Sequence, residues 1–132
     1  MNLKDIKVYA FVGPSGTGKS YRAQLVASEH NIKYIIDDGL LINENDVVAG
    51  NSAKKAPTKV ETVKKAIFIE KEDRKNMMDA LKKIKPPSIL ILGTSDGMVE
   101  KIADNLGLEK PEKTIYINEV ATETEMETAK RI

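Results

Sequence analysis

Val8-Tyr9-Ala10-Phe11-Val12-Gly13-Pro14-Ser15-Gly16-Thr17-Gly18-Lys19-Ser20 decides how this chain is read. The first five residues are apolar on both faces, as in a central strand of a parallel sheet. The next eight match G-x-x-x-x-G-K-[ST] at every fixed position. A backbone that wraps a phosphate must turn its N–H groups inward, and glycine permits the φ values and the close approach that this needs. The amides of Gly16 to Ser20 would face a phosphate, helped by the positive end of the helix that starts there. Lys19 would span the β- and γ-phosphates, and the Ser20 hydroxyl would sit on Mg²⁺. Pro14 has no N–H and is expected to make no phosphate contact.

Downstream, short β-branched runs alternate with helix-like stretches, which predicts an α/β three-layer sandwich with a mainly parallel sheet of about four strands. A helix is expected from about Lys19 to Glu29, with Ala23, Leu25, Val26 and Ala27 on its apolar side. Lys33 to Ile36 reads as a second strand ending at Asp37-Asp38-Gly39. Leu40 to Ile42 and Val47 to Gly50 flank the polar tip Asn43–Asp46, which predicts a β-hairpin near 40–49. Residues 51–59, basic and containing Pro57, read as a mobile loop.

Thr58 to Lys85 reads as two helices, with Val60, Val63 and Ile67 and then Met77, Leu81 and Ile84 at helical spacing. Ala66 to Ile69 could also form a strand ending in Glu70. Pro86-Pro87 stops the helix, and Ser88 to Leu92 is a buried strand. Ser95 is a candidate N-cap for a helix over Met98 to Leu106, with Gly107 past its end. Lys113 to Asn118 is the fourth parallel strand, and a final helix starts at Thr122 or Thr124. Its lack of a stop signal suggests one domain, 1–132, serving as the N-terminal module of a longer protein.

The Gly-Pro-Ser-Gly-Thr-Gly-Lys-Ser run resembles the Walker A element of the P-loop NTPases. That wording is shared by AAA-type ATPases, guanylate-kinase-like enzymes and transporter ATPases. The chain looks like an ATP-binding module of a bacterial P-loop protein, AAA-type or kinase-like. The resemblance implies ATP and Mg²⁺ as ligands, with Gly13, Ser15, Gly16, Thr17, Gly18, Lys19 and Ser20 holding the nucleotide. Such proteins also carry an acid at the end of a neighbouring strand. Ser88–Leu92 ends without one, so Asp37 and Asp38 are the candidates to join Ser20 at the metal. Glu70 is an alternative only if a strand precedes it. Thr94 resembles a polar sensor of the γ-phosphate, and with Lys19 and Asp38 it completes the candidate catalytic set. Residues Asn118 to Thr122 are where P-loop folds of this kind seat adenine.

Composition narrows the functions. There is no Cys, which excludes thiolate chemistry and disulfides. The longest apolar runs fall far short of the ~20 residues that cross a bilayer, and no leader-like segment opens the chain, so a cytoplasmic location is expected. A net charge of +1 gives no general attraction to nucleic acid. The Lys54, Lys55, Lys59, Lys64 and Lys65 cluster has no interleaved aromatic, so a solvated face is favoured over RNA contact. His30 suits the end of the first helix, and Tyr21 is expected to pack. No Asn/Thr-Lys-x-Asp tetrapeptide of the guanine-specific kind occurs, so ATP is preferred.

Only three cations are Arg, at 22, 74 and 131, against 18 Lys. Phosphoryl transfer commonly uses arginines to stabilise charge on the transferred group. A self-sufficient kinase is therefore disfavoured. The expected function is a slow ATPase or nucleotide switch, completed by a domain or subunit that supplies an arginine in trans. The alternatives are a small-molecule or nucleotide kinase and a nucleotide-sensing module without turnover.

Overall fold

The structure, a computed structural model, describes residues 2–14 and 18–120. Strands β1 (Lys7–Val12), β2 (Tyr34–Asp37), β3 (Leu40–Asn43), β4 (Asp46–Gly50), β5 (Ser88–Gly93) and β6 (Lys113–Tyr116) form one sheet in the order β4-β3-β2-β5-β1-β6. β1, β2, β5 and β6 are parallel to one another, and β3 and β4 continue the sheet antiparallel. The four parallel strands and the hairpin of the sequence reading are thus parts of a single six-stranded sheet.

Helices α1 (Lys19–Glu29), α2 (Lys59–Ala66), α3 (Lys71–Ile84), α4 (Asp96–Asn105) and the short α5 (Ile117–Val120) join them, with 3-10 turns over Leu3–Asp5 and Ala53–Lys55. Residues alternate across the sheet and divide the core in two. Phe11, Ile35, Leu90, Leu92 and Ile115 pack with Ala23, Val26 and Ala27 of α1. Val8, Ala10, Ile36, Leu41, Ile89 and Ile91 pack with Met77 and Leu81 of α3 and with Val99, Ile102 and Ala103 of α4. This is the α/β/α layering that the alternation predicts. The expected last helix falls in residues outside those described.

Several expectations need correction. Leu25 is 58% and Tyr21 86% exposed, so α1 buries only the small-residue side of its expected stripe, and Tyr21 does not pack. Val60 and Val63 keep helical spacing but are 65% and 56% exposed. Helix α2 instead buries Ala66, followed by Ile67 and Phe68. Ile67–Ile69 is neither helix nor strand. Phe68 takes a left-handed φ of 60° at the end of α2, and the Ile69 N–H bonds back to the Lys64 carbonyl at 3.0 Å. That closing turn usually carries glycine. Here the fully buried Phe68 ring compensates for the backbone cost.

The basic segment after the hairpin is also anchored. Ser52 caps a 3-10 turn over Ala53–Lys55, and Ala53 is completely buried. In β4, Leu41 faces Ala49 while Ile42 faces Val47, so Val48 is an extra residue and the strand carries a β-bulge. Ser95 caps α4 through the Met98 N–H at 3.1 Å, and Gly107 takes φ 71° just past its end, both as expected. Tyr116 donates to both Asp96 oxygens at 2.9 and 3.0 Å, tying edge strand β6 to the start of α4.

Candidate nucleotide site

Strand β1 lies between β5 and β6, and its C-terminal end feeds the Gly-rich loop. The loop's first amide, Gly13 N–H, bonds the Gly93 carbonyl at 3.1 Å, so β5 fixes its departure. At its other end Gly18 has φ 83° and ψ 20°, and its carbonyl accepts from Arg22 N–H at 3.1 Å. A Cβ at that left-handed position would be strained, which gives the last glycine of the motif its local reason. No side chain caps α1. Ser15, Gly16 and Thr17 lie outside the described residues.

Lys19 and Ser20 open α1 and face the loop from the helix side. The Lys19 ammonium donates to the Gly13 carbonyl at 2.8 Å. Burial holds its pKa below the ordinary lysine value of 10.5, while the Asp37 carboxylate pulls the other way. The Ser20 hydroxyl donates to Asp37 Oδ2 at 2.7 Å. Of the two candidate aspartates, it is Asp37 that the fold brings to the motif. It ends β2 and points to the same face as Ile35, the side on which α1 packs.

Asp38 turns elsewhere. It occupies the first position of the two-residue Asp38-Gly39 turn between β2 and β3, with φ 54° and 82° at the two residues. Both angles positive is the type I′ geometry that suits a hairpin. The Asp38 carboxylate accepts from the Ser52 hydroxyl at 3.0 Å. Glu70 precedes α3 with no strand before it, and it faces Lys65 at 3.9 Å, so the condition for its metal role is not met. Lys65 also pairs with Asp73 at 3.4 Å.

Thr94 follows directly on β5, beside β1, where a sensor would have to stand. Its N–H and hydroxyl both approach Met98 Sδ at 3.4 Å, a weak acceptor. His30 caps the end of α1 with its ring 5.6 Å from that of Tyr9, a packing role. Asn118 and Glu119 lie on α5, and Glu119 accepts from Tyr116 N–H at 3.3 Å; Ala121 and Thr122 lie outside the described residues.

The chain matches the family model of the ATPase family associated with various cellular activities, AAA, over residues 9–130. It belongs to that family. A comparison with curated proteins finds no match. The AAA assignment makes this a nucleotide-binding P-loop ATPase-type domain.

Two oxygen donors of different charge, the Ser20 hydroxyl and the Asp37 carboxylate, meet at 2.7 Å beside a lysine. That hard-oxygen pair fits Mg²⁺, which takes one or two protein ligands and fills its remaining positions with water and phosphate oxygens. Among the described residues no group of three or more acidic, His or Cys side chains is placed to hold a metal ion. No described helix of this AAA domain is long and apolar enough to cross a membrane.

The depressed Lys19 pKa has a measurable consequence. A triphosphate needs the ammonium form, so ATP affinity is expected to fall with rising pH before 10.5 is reached. Asp37→Asn removes the opposing pull and should move that midpoint lower. Calorimetric titrations from pH 7 upward check both shifts. The same linkage acts on folding. Below the folded pKa the burial cost of charged Lys19 is fully present; it is relieved as pH rises towards the ordinary value.

Proposed function

We propose that this AAA domain binds ATP·Mg²⁺ and acts as a slow ATPase or nucleotide switch that a further domain or subunit completes. The observation that carries the reading is the Ser20–Asp37 contact at 2.7 Å beside Lys19. Lys19 and the loop amides would hold the β- and γ-phosphates. Ser20 and Asp37 would hold Mg²⁺, which shields the phosphate charge when bound. Asp37 would also be the group that orients water near the γ-phosphate, with Thr94 at the adjacent strand end as its polar neighbour.

The arginine count supports dependence on a partner. Arg22 is on α1, Arg74 is on α3 across the sheet from α1, and Arg131 lies outside the described residues. An arginine supplied in trans accelerates P-loop hydrolysis by about 10³–10⁵-fold in other systems. The chain alone is accordingly expected to bind ATP·Mg²⁺ yet turn over below about 1 s⁻¹, the low end of ordinary enzymes. A phosphate-release assay on purified protein decides the point, and faster turnover would sink the partner requirement. A phosphorylated acceptor in a screen with γ-labelled ATP would replace this reading with a kinase. Binding with no release at all would leave a sensing module.

A further inference from the structure

We infer that Ser52 is a positioning residue that holds the Asp38-Gly39 turn and thereby delivers Asp37 to the nucleotide site. The inference rests on the reading of Asp37 as the carboxylate beside the metal. Strand alternation puts Asp37 on the α1 side of the sheet and leaves Asp38 in the turn that follows it. What keeps that strand end in place is the contact between the turn and the segment after the hairpin.

Ser52 is held in a defined orientation. Its Oγ accepts from the Lys54 N–H at 3.2 Å as the cap of the 3-10 turn, which directs its own proton to Asp38 Oδ2 at 3.0 Å. The next residue repeats the grip on the backbone, since Ala53 N–H donates to the Asp38 carbonyl at 2.9 Å. Buried Ala53 anchors this segment in the body of the domain. The turn is pressed against it closely, because a Cβ on Gly39 would lie 2.4 Å from the Asn51 carbonyl oxygen.

Two effects follow. The clamp fixes the type I′ turn, and with it the end of β2 that delivers Asp37 to Ser20. It also occupies the Asp38 carboxylate away from the loop, so a triphosphate meets one acidic group there. A second free carboxylate beside the phosphates would repel them. A hydroxyl one residue before a basic 3-10 turn thus acts on the nucleotide site through Asp38.

The test uses the full chain and a fluorescent ATP analogue, with dissociation constants measured in Mg²⁺ and in EDTA. The readout is the ratio of the two constants, the factor by which Mg²⁺ tightens binding, and thermal melting is followed in parallel. Asp37→Asn is expected to abolish the Mg²⁺ enhancement. Ser52→Ala should lower it severalfold, less than Asp37→Asn does, because it acts through the turn and not on Asp37 directly. Ser52→Thr, which keeps the hydroxyl, should restore it. Asp38→Asn weakens the same bond from the other side and should give an intermediate loss, which keeps the test open if Ser52→Ala folds poorly. A purely structural Ser52 would lower stability and raise both constants together while leaving the ratio unchanged. An unchanged ratio in Ser52→Ala with a collapsed ratio in Asp37→Asn overturns the positioning role and leaves the reading of Asp37 standing. Collapse in Asp38→Asn with Ser52→Ala silent also overturns it, by making Asp38 a direct ligand. An unchanged ratio in Asp37→Asn overturns the reading of Asp37, and the positioning role with it.

Discussion

Lys19→Ala is expected to reduce ATP·Mg²⁺ affinity by about 10²–10⁴-fold while leaving the fold intact. Each hydrogen bond from a charged group contributes about 1.5–3 kcal/mol, and an ammonium spanning two phosphates makes at least two. With about 1.4 kcal/mol per tenfold, two such bonds give the quoted range. The ammonium donates to the Gly13 carbonyl, at the start of its own loop. Stability should change little, because the truncation removes one partly buried charge whose desolvation already disfavours it. Isothermal titration and circular dichroism on the same sample test both halves. Lys19→Arg is not a safe substitute, since a planar fork replaces a compact donor. Retained affinity in the alanine variant would remove the loop from the nucleotide site.

Gly39→Ala is expected to destabilise the fold strongly. Gly39 has φ 82°, where an L residue costs about 1–2 kcal/mol. The added Cβ would also lie 2.4 Å from the Asn51 carbonyl oxygen, a backbone atom that cannot rotate away. Overpacking of that kind costs typically 1–3 kcal/mol, so the sum is about 2–5 kcal/mol. For a domain of this size about 3–4 °C of melting temperature is lost per kcal/mol, which makes the drop roughly 6–20 °C. The Mg²⁺ enhancement of nucleotide binding should fall as well, because the turn that carries Asp37 is displaced. Thermal denaturation at fixed nucleotide concentration would show both. A melting temperature within about 2 °C of the parent would mean that the hairpin relaxes freely, contrary to the packing.

Which parts of this architecture could be read from the chain follows from where the information resides. The P-loop, its strand and the four parallel strands are written locally, in Gly13 to Ser20 and in apolar runs such as Ile89-Leu90-Ile91-Leu92. The contact that holds the Asp38 turn is not local, since only the folded hairpin brings Ser52, fourteen residues on, to Asp38. One local signal bears on the turn. Asp38-Gly39 between two apolar runs is a strong hairpin dipeptide, and it predicts the β2–β3 pairing directly. Recognising it would have placed Asp38 in a turn and left Asp37 as the strand-end acid.

The lysine-rich helix shows the opposite failure. Val60 and Val63 carry helical periodicity, yet periodicity reports a face and does not say what covers it. Helix α2 is held by its first and last turns. Thr58 caps the first, accepting from Glu61 N–H at 3.1 Å, and Ala66 leads into the buried Ile67-Phe68 anchor. A segment fastened at its ends can leave its middle valines in water. Likewise, exposed Leu25 and Tyr21 show that α1 contacts the sheet chiefly through alanines and a valine, which lets the P-loop helix lie close to β1 and β5.

The bulge in β4 bears on how this protein behaves in a crowded solution. A sheet ending in the run Asp46-Val47-Val48-Ala49-Gly50 offers two exposed valines and unpaired backbone groups, the template on which foreign strands add and fibrils grow. The extra residue at Val48 breaks the even spacing of those groups and twists the border strand. Another chain laid along it would find its bonding partners out of step after two residues. Asp46 and the neighbouring Glu44 add like charge against self-association. The irregularity at Val48 therefore acts as a guard on the sheet's free border, protecting a nucleotide-binding domain from its own strands.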